Sequence, residues 1–140
     1  MLRLRSALLG LGMLLAVSAT QAQEARVKAN IPFDFVVGNK VLPAGEYIVS
    51  PQGSTNQVIL IRAEEGNSAA SAITLNCASS GPSSNTKLVF HTMGGQYFLW
   101  QVWTEGYDHG RQLPKSSSEV QMAKNHVKSD TFVLAANLTR

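Results

Sequence analysis

The residues best suited to bind a metal ion are Glu105, Asp108 and His109, which fall in one short polar stretch, and His91 further upstream. Zinc sites usually combine three or four nitrogen, sulfur or oxygen ligands, often as closely spaced pairs. The only adjacent pair here is Asp108–His109, and neighbouring loop residues rarely both bind one ion. The pattern favours a solvated turn, so we predict no metal site. A metal protein or enzyme that uses His91, Asp108 and His109 is the least favoured alternative.

Nucleophilic or acid–base catalysis has little support in the residue pattern. The chain is rich in serine, but it contains no Gly-x-Ser-x-Gly elbow that would present a nucleophile at the end of a strand. Glu64 and Glu65 are adjacent carboxylates in a polar turn, where solvation is the simplest interpretation. The glycines form no phosphate-binding pattern before a helix. We therefore predict no catalytic residue, no cofactor and no enzymatic activity.

Aromatic side chains offer a different chemistry, because their faces can stack on sugars or apolar ligands and exposed ones mark contact surfaces. A domain of this size also needs large residues in its core. That need favours core positions for Phe98 and Trp100. Trp103 and Tyr107, close to the end of a predicted strand, fit either a core or a contact role.

A ligand surface, if present, is predicted around the turn that follows this aromatic strand. We predict Tyr97, Trp103, Tyr107 and Arg111 as ligand contacts, with Lys115 as a second source of positive charge. Recognition there would depend on shape and stacking.

The elements that position these residues show an alternation of apolar and polar residues with a period of two, and no long helical period. Such segments, separated by clusters of Gly, Pro, Asn and Ser, are typical of strands in an all-β domain. We predict a single-domain sandwich or partly closed barrel of about seven or eight antiparallel strands. The main predicted strands are Val27–Val37, Glu46–Ser50, Gln57–Arg62, Ala69–Asn76, Lys87–Thr92, Tyr97–Thr104 and Asp130–Leu138.

The first of these strands, Val27–Val37, has apolar residues at every odd position, which predicts one buried face. Pro32 cannot donate a hydrogen bond to a neighbouring strand, so we predict that this strand lies at a sheet edge or has its early half unpaired on one side. A chain reversal is predicted at Gly38–Asn39, and a turn at Leu42–Gly45.

A hairpin is predicted around Gly94–Gly95, because two glycines adopt the positive φ angles of a two-residue turn. The predicted register pairs Thr92 with Tyr97 and Val89 with Trp100. One face then carries Val89, His91, Phe98, Trp100 and Val102, and the other carries Leu88, Phe90, Tyr97, Leu99, Gln101 and Trp103. Both faces are largely apolar, so the pair is either covered on both sides or offers one face to a ligand.

One short helix is predicted over Ser117–Asn125 near the C-terminus, packed on the end of the barrel or sandwich. Ser116 and Glu119 have the spacing of a capping box. Val120, Ala123 and Val127 follow at helical spacing, which predicts the buried side of the helix.

The N-terminus has the pattern of a secretory signal peptide. Two arginines precede an apolar segment of 11 residues, Ala7–Val17, and small or polar residues follow as far as Ala22. The apolar segment is well short of the ~20 residues that a membrane helix needs. We predict cleavage after Ala22, with Ala19 as the alternative, and therefore a signal peptide over 1–22 and one mature, periplasmic or secreted domain over 23–140.

The mature chain would carry ten basic and nine acidic side chains, since two arginines leave with the signal peptide. This balance provides no dense basic block for nucleic acid. Cys77 is the only cysteine, so no internal disulfide can form. Because no basic residue adjoins Cys77 to lower the pKa of its thiol, we predict a small apolar residue at a strand end rather than a reactive thiol.

Three phrases of the sequence, Val27–Tyr47, Lys87–Trp103 and Gly110–Ser116, together resemble a group of small exported proteins from acidobacteria and related soil bacteria. The pairing of Ile-Pro-Phe-x-Phe with Leu-Pro-Ala-Gly-x-Tyr and the phrase Gly-Arg-Gln-Leu-Pro-Lys-Ser carry the resemblance. It implies bacterial export and a shared β fold. It implies no catalytic or binding residues.

The sequence therefore predicts an exported, non-enzymatic binding module or cell-envelope-associated module. Its contact surface is predicted at the strand ends and the Trp103–Arg111 turn, facing an envelope or extracellular ligand of unknown identity. The alternative is a structural or adhesion-like protein that associates through the exposed edge bearing Pro32. No membrane span is expected once the signal peptide has been removed.

Overall fold

The structure, a computed structural model, describes residues 25–53, 57–79 and 81–139. The predicted signal peptide, residues 1–22, lies outside the described residues. Within them the chain forms twelve strands and one helix. In chain order these are β1 (Arg26–Ile31), β2 (Phe35–Val37), β3 (Lys40–Leu42), β4 (Gly45–Gln52), β5 (Val58–Ala63), β6 (Ala69–Ile73), β7 (Leu75–Ala78), β8 (Lys87–Met93), β9 (Gln96–Trp103), β10 (His109–Gln112), α1 (Ser117–Lys124), β11 (Ser129–Ala135) and β12 (Asn137–Thr139).

The strands form two sheets that share a core, so the predicted β fold is confirmed in its sandwich-like version. The first sheet has the order β12-β1-β4-β5-β6. The second has the order β11-β8-β9-β10-β7, and β2 and β3 extend it beside the start of β9. Neither sheet closes into a barrel. The predicted strand number is too low, and the pairing is not wholly antiparallel because β2 runs parallel to β9.

The strand number differs mainly because three predicted strands each bend from one sheet into the other, and β3 and β10 are two further strands. The corners fall between β1 and β2 at residues 32–34, between β6 and β7 at Thr74, and between β11 and β12 at Ala136. Strands that change sheets through such bends make the corners of packed sheets. At two corners the backbone remains hydrogen-bonded, since the Thr74 N–H donates to the carbonyl of Gln57 and the Ala136 N–H donates to that of Thr86.

The predicted role of Pro32 is wrong for the same reason. Pro32 lies in the first corner, and β1 has neighbours on both sides over its early half, where Arg26–Lys28 pair with β12 and Val27 also pairs with β4. Asp34 fixes this corner to the following turn, because its carboxylate accepts a hydrogen bond from the Ala44 N–H at 2.9 Å. The early half of β1 is therefore not a free edge for association.

The main core lies between the two sheets and follows the predicted alternation. The odd-numbered residues of Val27–Val37 are almost fully buried, apart from Phe33, which is partly buried. Phe33 stacks on Tyr97 with ring centroids 3.7 Å apart. Val36, predicted on the wet face, is also buried because a second, smaller cluster covers the other side of β2.

The β8–β9 hairpin has the predicted two-residue turn, with positive φ at Gly94 and Gly95. The register is as predicted from Thr92–Tyr97 to Phe90–Leu99. Beyond this point a β-bulge places one extra residue, Trp100, in β9, so that Val89 pairs with Gln101 instead. A bulge reverses the alternation of the residues that follow it. The predicted faces are consequently wrong after Trp100: Val102 faces the core, while Gln101 and Trp103 lie on the outer face.

The helix α1 begins where predicted, with the Ser116 hydroxyl accepting a hydrogen bond from the Glu119 N–H at 3.1 Å. It packs on the outer face of the second sheet instead of the end of the molecule. The predicted buried side is wrong in part, since Val120 and Ala123 are exposed. Val127 packs as predicted, and together with Met122 it contacts a small buried cluster on the sheet formed by Val36, Met93 and Phe98.

Candidate functional site

One end of the space between the two sheets is open and forms a cleft of about 270 Å³. We call it the inter-sheet cleft. It is lined by Ala25, Val27, Val49, Ser50, Pro51, Ile59, Asn76, Val102, Thr104, Tyr107, His109 and Arg111. For comparison, an engineered apolar cavity of ~150 Å³ is large enough to bind benzene. The inter-sheet cleft therefore has room for a small organic ligand.

The first sheet supplies the apolar wall of this cleft. Val27, Val49 and Ile59 come from the neighbouring strands β1, β4 and β5, and each side chain is at most 3% exposed. They face inward because of the alternation in these strands, so core residues form the floor of the cleft. Val102 of β9 adds a fourth aliphatic side chain from the opposite sheet. A ligand that enters would contact the edge of the hydrophobic core.

The second sheet supplies polar groups opposite this apolar floor. His109 and Arg111 alternate along β10 so that both face the cleft, and Arg111 pairs in the ladder with Asn76 of β7 and with Val102 of β9. Thr104, just after β9, and Tyr107, in the turn before β10, complete this wall. The cleft thus has an aliphatic interior and a rim of hydrogen-bonding side chains.

Arg111 is the charged group of the inter-sheet cleft. Its side chain is partly buried and forms no ion pair or side-chain hydrogen bond with any residue in the described ranges. Desolvation lowers the pKa of its guanidinium, and the nearby Tyr107 hydroxyl has the opposite, smaller effect. Arginine stays charged in proteins despite such shifts, because its intrinsic pKa is above 12. A fixed positive charge therefore faces a cleft whose floor is aliphatic.

The structure brings together two of the four predicted ligand contacts. Tyr107 and Arg111 both line the inter-sheet cleft, and Tyr107 is 52% exposed at the rim. Tyr97 lies near the opposite end of β9, about 20 Å along the strand from Trp103, and packs on Phe33. Lys115 is exposed and is not among the residues that line the cleft.

Trp103 lies on the outer face of the second sheet because of the bulge in β9. Its Nε1–H donates to Gln101 at 3.0 Å, and the Gln101 amide donates to Gln112, also at 3.0 Å. The Lys87 ammonium lies 5.9 Å from the centroid of the Trp103 ring. Trp103 therefore packs on the sheet next to the inter-sheet cleft without lining it.

The helix α1 covers another part of the outer face of the second sheet, where it contributes one member of an ionisable pair. His91 Nδ1 lies 2.6 Å from a carboxylate oxygen of Glu119, and the His91 ring stacks on Trp100 with centroids 4.0 Å apart. Glu119 is only 6% exposed. This pair connects α1 to β8. The second face of the hairpin is consequently covered by the helix at one end and open near Trp103 at the other.

The three residues of the metal or enzyme alternative do not form one site. His91 lies on the outer face of the second sheet, whereas His109 faces the inter-sheet cleft. In the part of the chain that the structure describes, no group of three or more His, Cys, Asp or Glu side chains is arranged to hold a metal ion. Nothing in the geometry therefore favours this alternative.

Cys77 lies in β7, where its partner across the ladder is Gly110 of β10. Its side chain is half-buried, and desolvation raises the pKa of the thiol. The predicted position at a strand end is confirmed to within one residue, since β7 ends at Ala78. At neutral pH the group is a thiol, which is a poor nucleophile.

Most of the residues that form the cleft could not be singled out in the sequence. Val27, Val49 and Ile59 have the pattern of ordinary core residues, and only the two-sheet arrangement places them beside the opening between the sheets. His109 and Arg111 alternate along His109–Gln112, but this alternation indicates a shared face only once β10 is known to join the second sheet.

No protein-family model, curated protein sequence or solved structure matches the chain. Among the described residues, no helix is long and apolar enough to cross a membrane.

Proposed function

We propose that this chain is an exported, non-enzymatic binding protein that takes a small ligand into the inter-sheet cleft. The observation that carries this proposal is that core aliphatics line an open cleft together with a partly buried guanidinium that has no partner among the described residues. Ligand sites are mostly apolar concavities with a few placed polar groups. The inter-sheet cleft contains both kinds of group in about equal measure, with Val27, Val49 and Ile59 on one side and His109 and Arg111 on the other.

Two further observations support this proposal. The pattern of the first 22 residues favours export, and the resemblance to small exported proteins of acidobacteria agrees with it. The titratable residues at the rim, His109 and Tyr107, have no hydrogen-bonded base or nucleophile beside them among the described residues, whereas catalysis normally requires such a pair. The ligand would therefore leave the site chemically unchanged, and the protein would act in the periplasm or outside the cell.

Filling the cleft is the direct test of this function. Thr104→Trp introduces a large side chain at the polar wall of the cleft. We expect the mature wild-type protein to show a raised Tm with at least one class in a panel of fatty acids, aromatic acids, fatty alcohols and short glycans, since a ligand that binds only the folded state stabilises it. The Thr104→Trp variant should lose that response.

Thr131→Trp is the matched control, because Thr131 is exposed on β11 and remote from the cleft lining. It should keep the response of the wild-type protein. If Thr104→Trp fails to fold, Asn76→Trp at the exposed rim takes its place. A wild-type Tm that no member of the panel changes, or a response that both tryptophan variants retain, would contradict the proposed site.

A further inference from the structure

The chemistry of the inter-sheet cleft restricts the class of ligand, and this restriction rests on the proposed function. The aliphatic side chains of the floor, Val27, Val49 and Ile59, offer no hydrogen bond to a buried hydroxyl or amide of a ligand. A polar group placed there would lose its hydrogen bonds to water without replacement, which is unfavourable. The part of the ligand that contacts these three side chains is therefore expected to be apolar.

The rim imposes the opposite requirement at a single place. Arg111 contributes a permanent positive charge, and no described carboxylate lies within ion-pair distance of it. Partly buried guanidinium groups are stabilised by planar anions that accept two parallel N–H hydrogen bonds. His109 and Asn76, which line the same wall, can supply additional hydrogen bonds to the same head group.

The size of the cleft limits the length of the ligand. Its volume of about 270 Å³ is less than twice that of an engineered cavity of ~150 Å³ that binds benzene. A chain of about eight carbon atoms or one substituted aromatic ring would fill it. A long acyl chain would extend beyond the described walls.

We propose that the ligand of the inter-sheet cleft is a small amphiphile with one carboxylate, whose apolar body lies on Val27, Val49 and Ile59 and whose head group pairs with Arg111. One carboxylate balances the one guanidinium of the cleft, since Lys115 is exposed outside it. Apolar burial supplies affinity for the body, and the charge-assisted hydrogen bonds select the carboxylate over an alcohol of equal length.

Octanoate and 1-octanol separate these two contributions, because they share the apolar body and differ in the charge of the head group. We expect calorimetric titration of the mature protein to give an affinity for octanoate at least about tenfold higher than for 1-octanol. Arg111→Gln should reduce octanoate affinity by at least about tenfold and leave 1-octanol affinity unchanged. Lys115→Gln, the matched charge control, should behave like the wild-type protein.

The retained binding of 1-octanol by Arg111→Gln shows that the variant still has a folded cleft. Equal affinities for octanoate and 1-octanol, or an Arg111→Gln variant with wild-type octanoate affinity, would overturn the carboxylate assignment and leave the binding function intact. Binding of neither compound would also overturn the assignment. Failure of the proposed function itself is a different result, namely that no member of the wider panel binds and filling the cleft changes nothing.

Discussion

The indole ring of Trp103 packs against the backbone of Gly110 on the outer face of the second sheet. A Cβ atom at Gly110 would lie 2.8 Å from three carbon atoms of that ring, closer than unstrained contacts allow. The neighbouring ring belongs to a side chain that is itself hydrogen-bonded to Gln101. Gly110 is therefore required by packing, since its backbone does not need a positive φ.

Gly110→Ala tests this close approach. We expect a loss of about 1–3 kcal/mol in the free energy of unfolding, the usual cost of overpacking, measured by urea denaturation. In a Trp103→Leu background, the smaller side chain should accommodate the added methyl group and reduce the loss. Equal losses in both backgrounds would show that the ring is not the cause.

The surroundings of Cys77 lower the reactivity of its thiol. Partial burial raises the pKa of the thiol, so the thiolate fraction at a given pH is lower than in an ordinary cysteine. We expect the rate of alkylation by iodoacetamide to rise with pH around a midpoint higher than that of the same chain unfolded in urea. A midpoint equal to or below that of the unfolded chain would contradict the assigned environment.

At the scale of elements, the apolar alternation predicted which residues face the core but not where strands change sheets. The run from Val27 to Val37 keeps its inward odd positions on both sides of the corner at residues 32–34. The strands β1 and β2 face the same core, and an even number of positions separates Ile31 from Phe35. The alternation with a period of two is therefore the same before and after the corner. The corners at Thr74 and Ala136 are hidden in the same way.

The bulge at Trp100 is the feature of β9 that could not be predicted from the sequence. The period of two gives no sign of an extra residue when apolar side chains occupy both faces, as they do from Tyr97 to Trp103. Hairpin turn chemistry fixed the register only near Gly94–Gly95. As a result Trp103 was predicted on the wrong face, and Val102 was not recognised as part of the cleft.

The helix was predicted from local sequence signals, but tertiary contacts with the second sheet determine its orientation. Ser116 was recognised as the N-cap, whereas the buried contact of Glu119 with His91 could not be read from helical spacing, which favoured Val120 and Ala123. A carboxylate is buried here because an imidazole on β8 accompanies it. This pair, together with Met122, determines which side of α1 faces the sheet.

Ser116→Ala tests the contribution of the cap to this element. Removal of the hydroxyl leaves the Glu119 N–H without its acceptor, so we expect a loss of about 1 kcal/mol in the free energy of unfolding, measured by urea denaturation. Ser118→Ala, at an exposed helical position nearby, is the control and should change stability by less than about 0.5 kcal/mol. Equal effects of the two substitutions would show that Ser116 does not cap the helix.

At the scale of the whole molecule, the site depends on an arrangement that no single segment specifies. Tyr107 and Arg111 were predicted as contacts from their position after an aromatic strand, and both line the inter-sheet cleft. The apolar floor was not predicted as part of any site, because Val27, Val49 and Ile59 come from three strands of the opposite sheet. Only the packing of two sheets, open at one end, places these core residues in the lining of a cleft.

Methyl and amide NMR titration of the mature protein tests the central claim most directly, because it locates binding residue by residue. With the ligand class that raises the Tm, we predict saturable shifts of the methyl signals of Val27, Val49 and Ile59 together with the amide signals of His109 and Arg111. Signals near the helix, such as those of Met122, should not move. The absence of saturable shifts at these cleft residues, or shifts confined to the helix-covered face, would contradict the account.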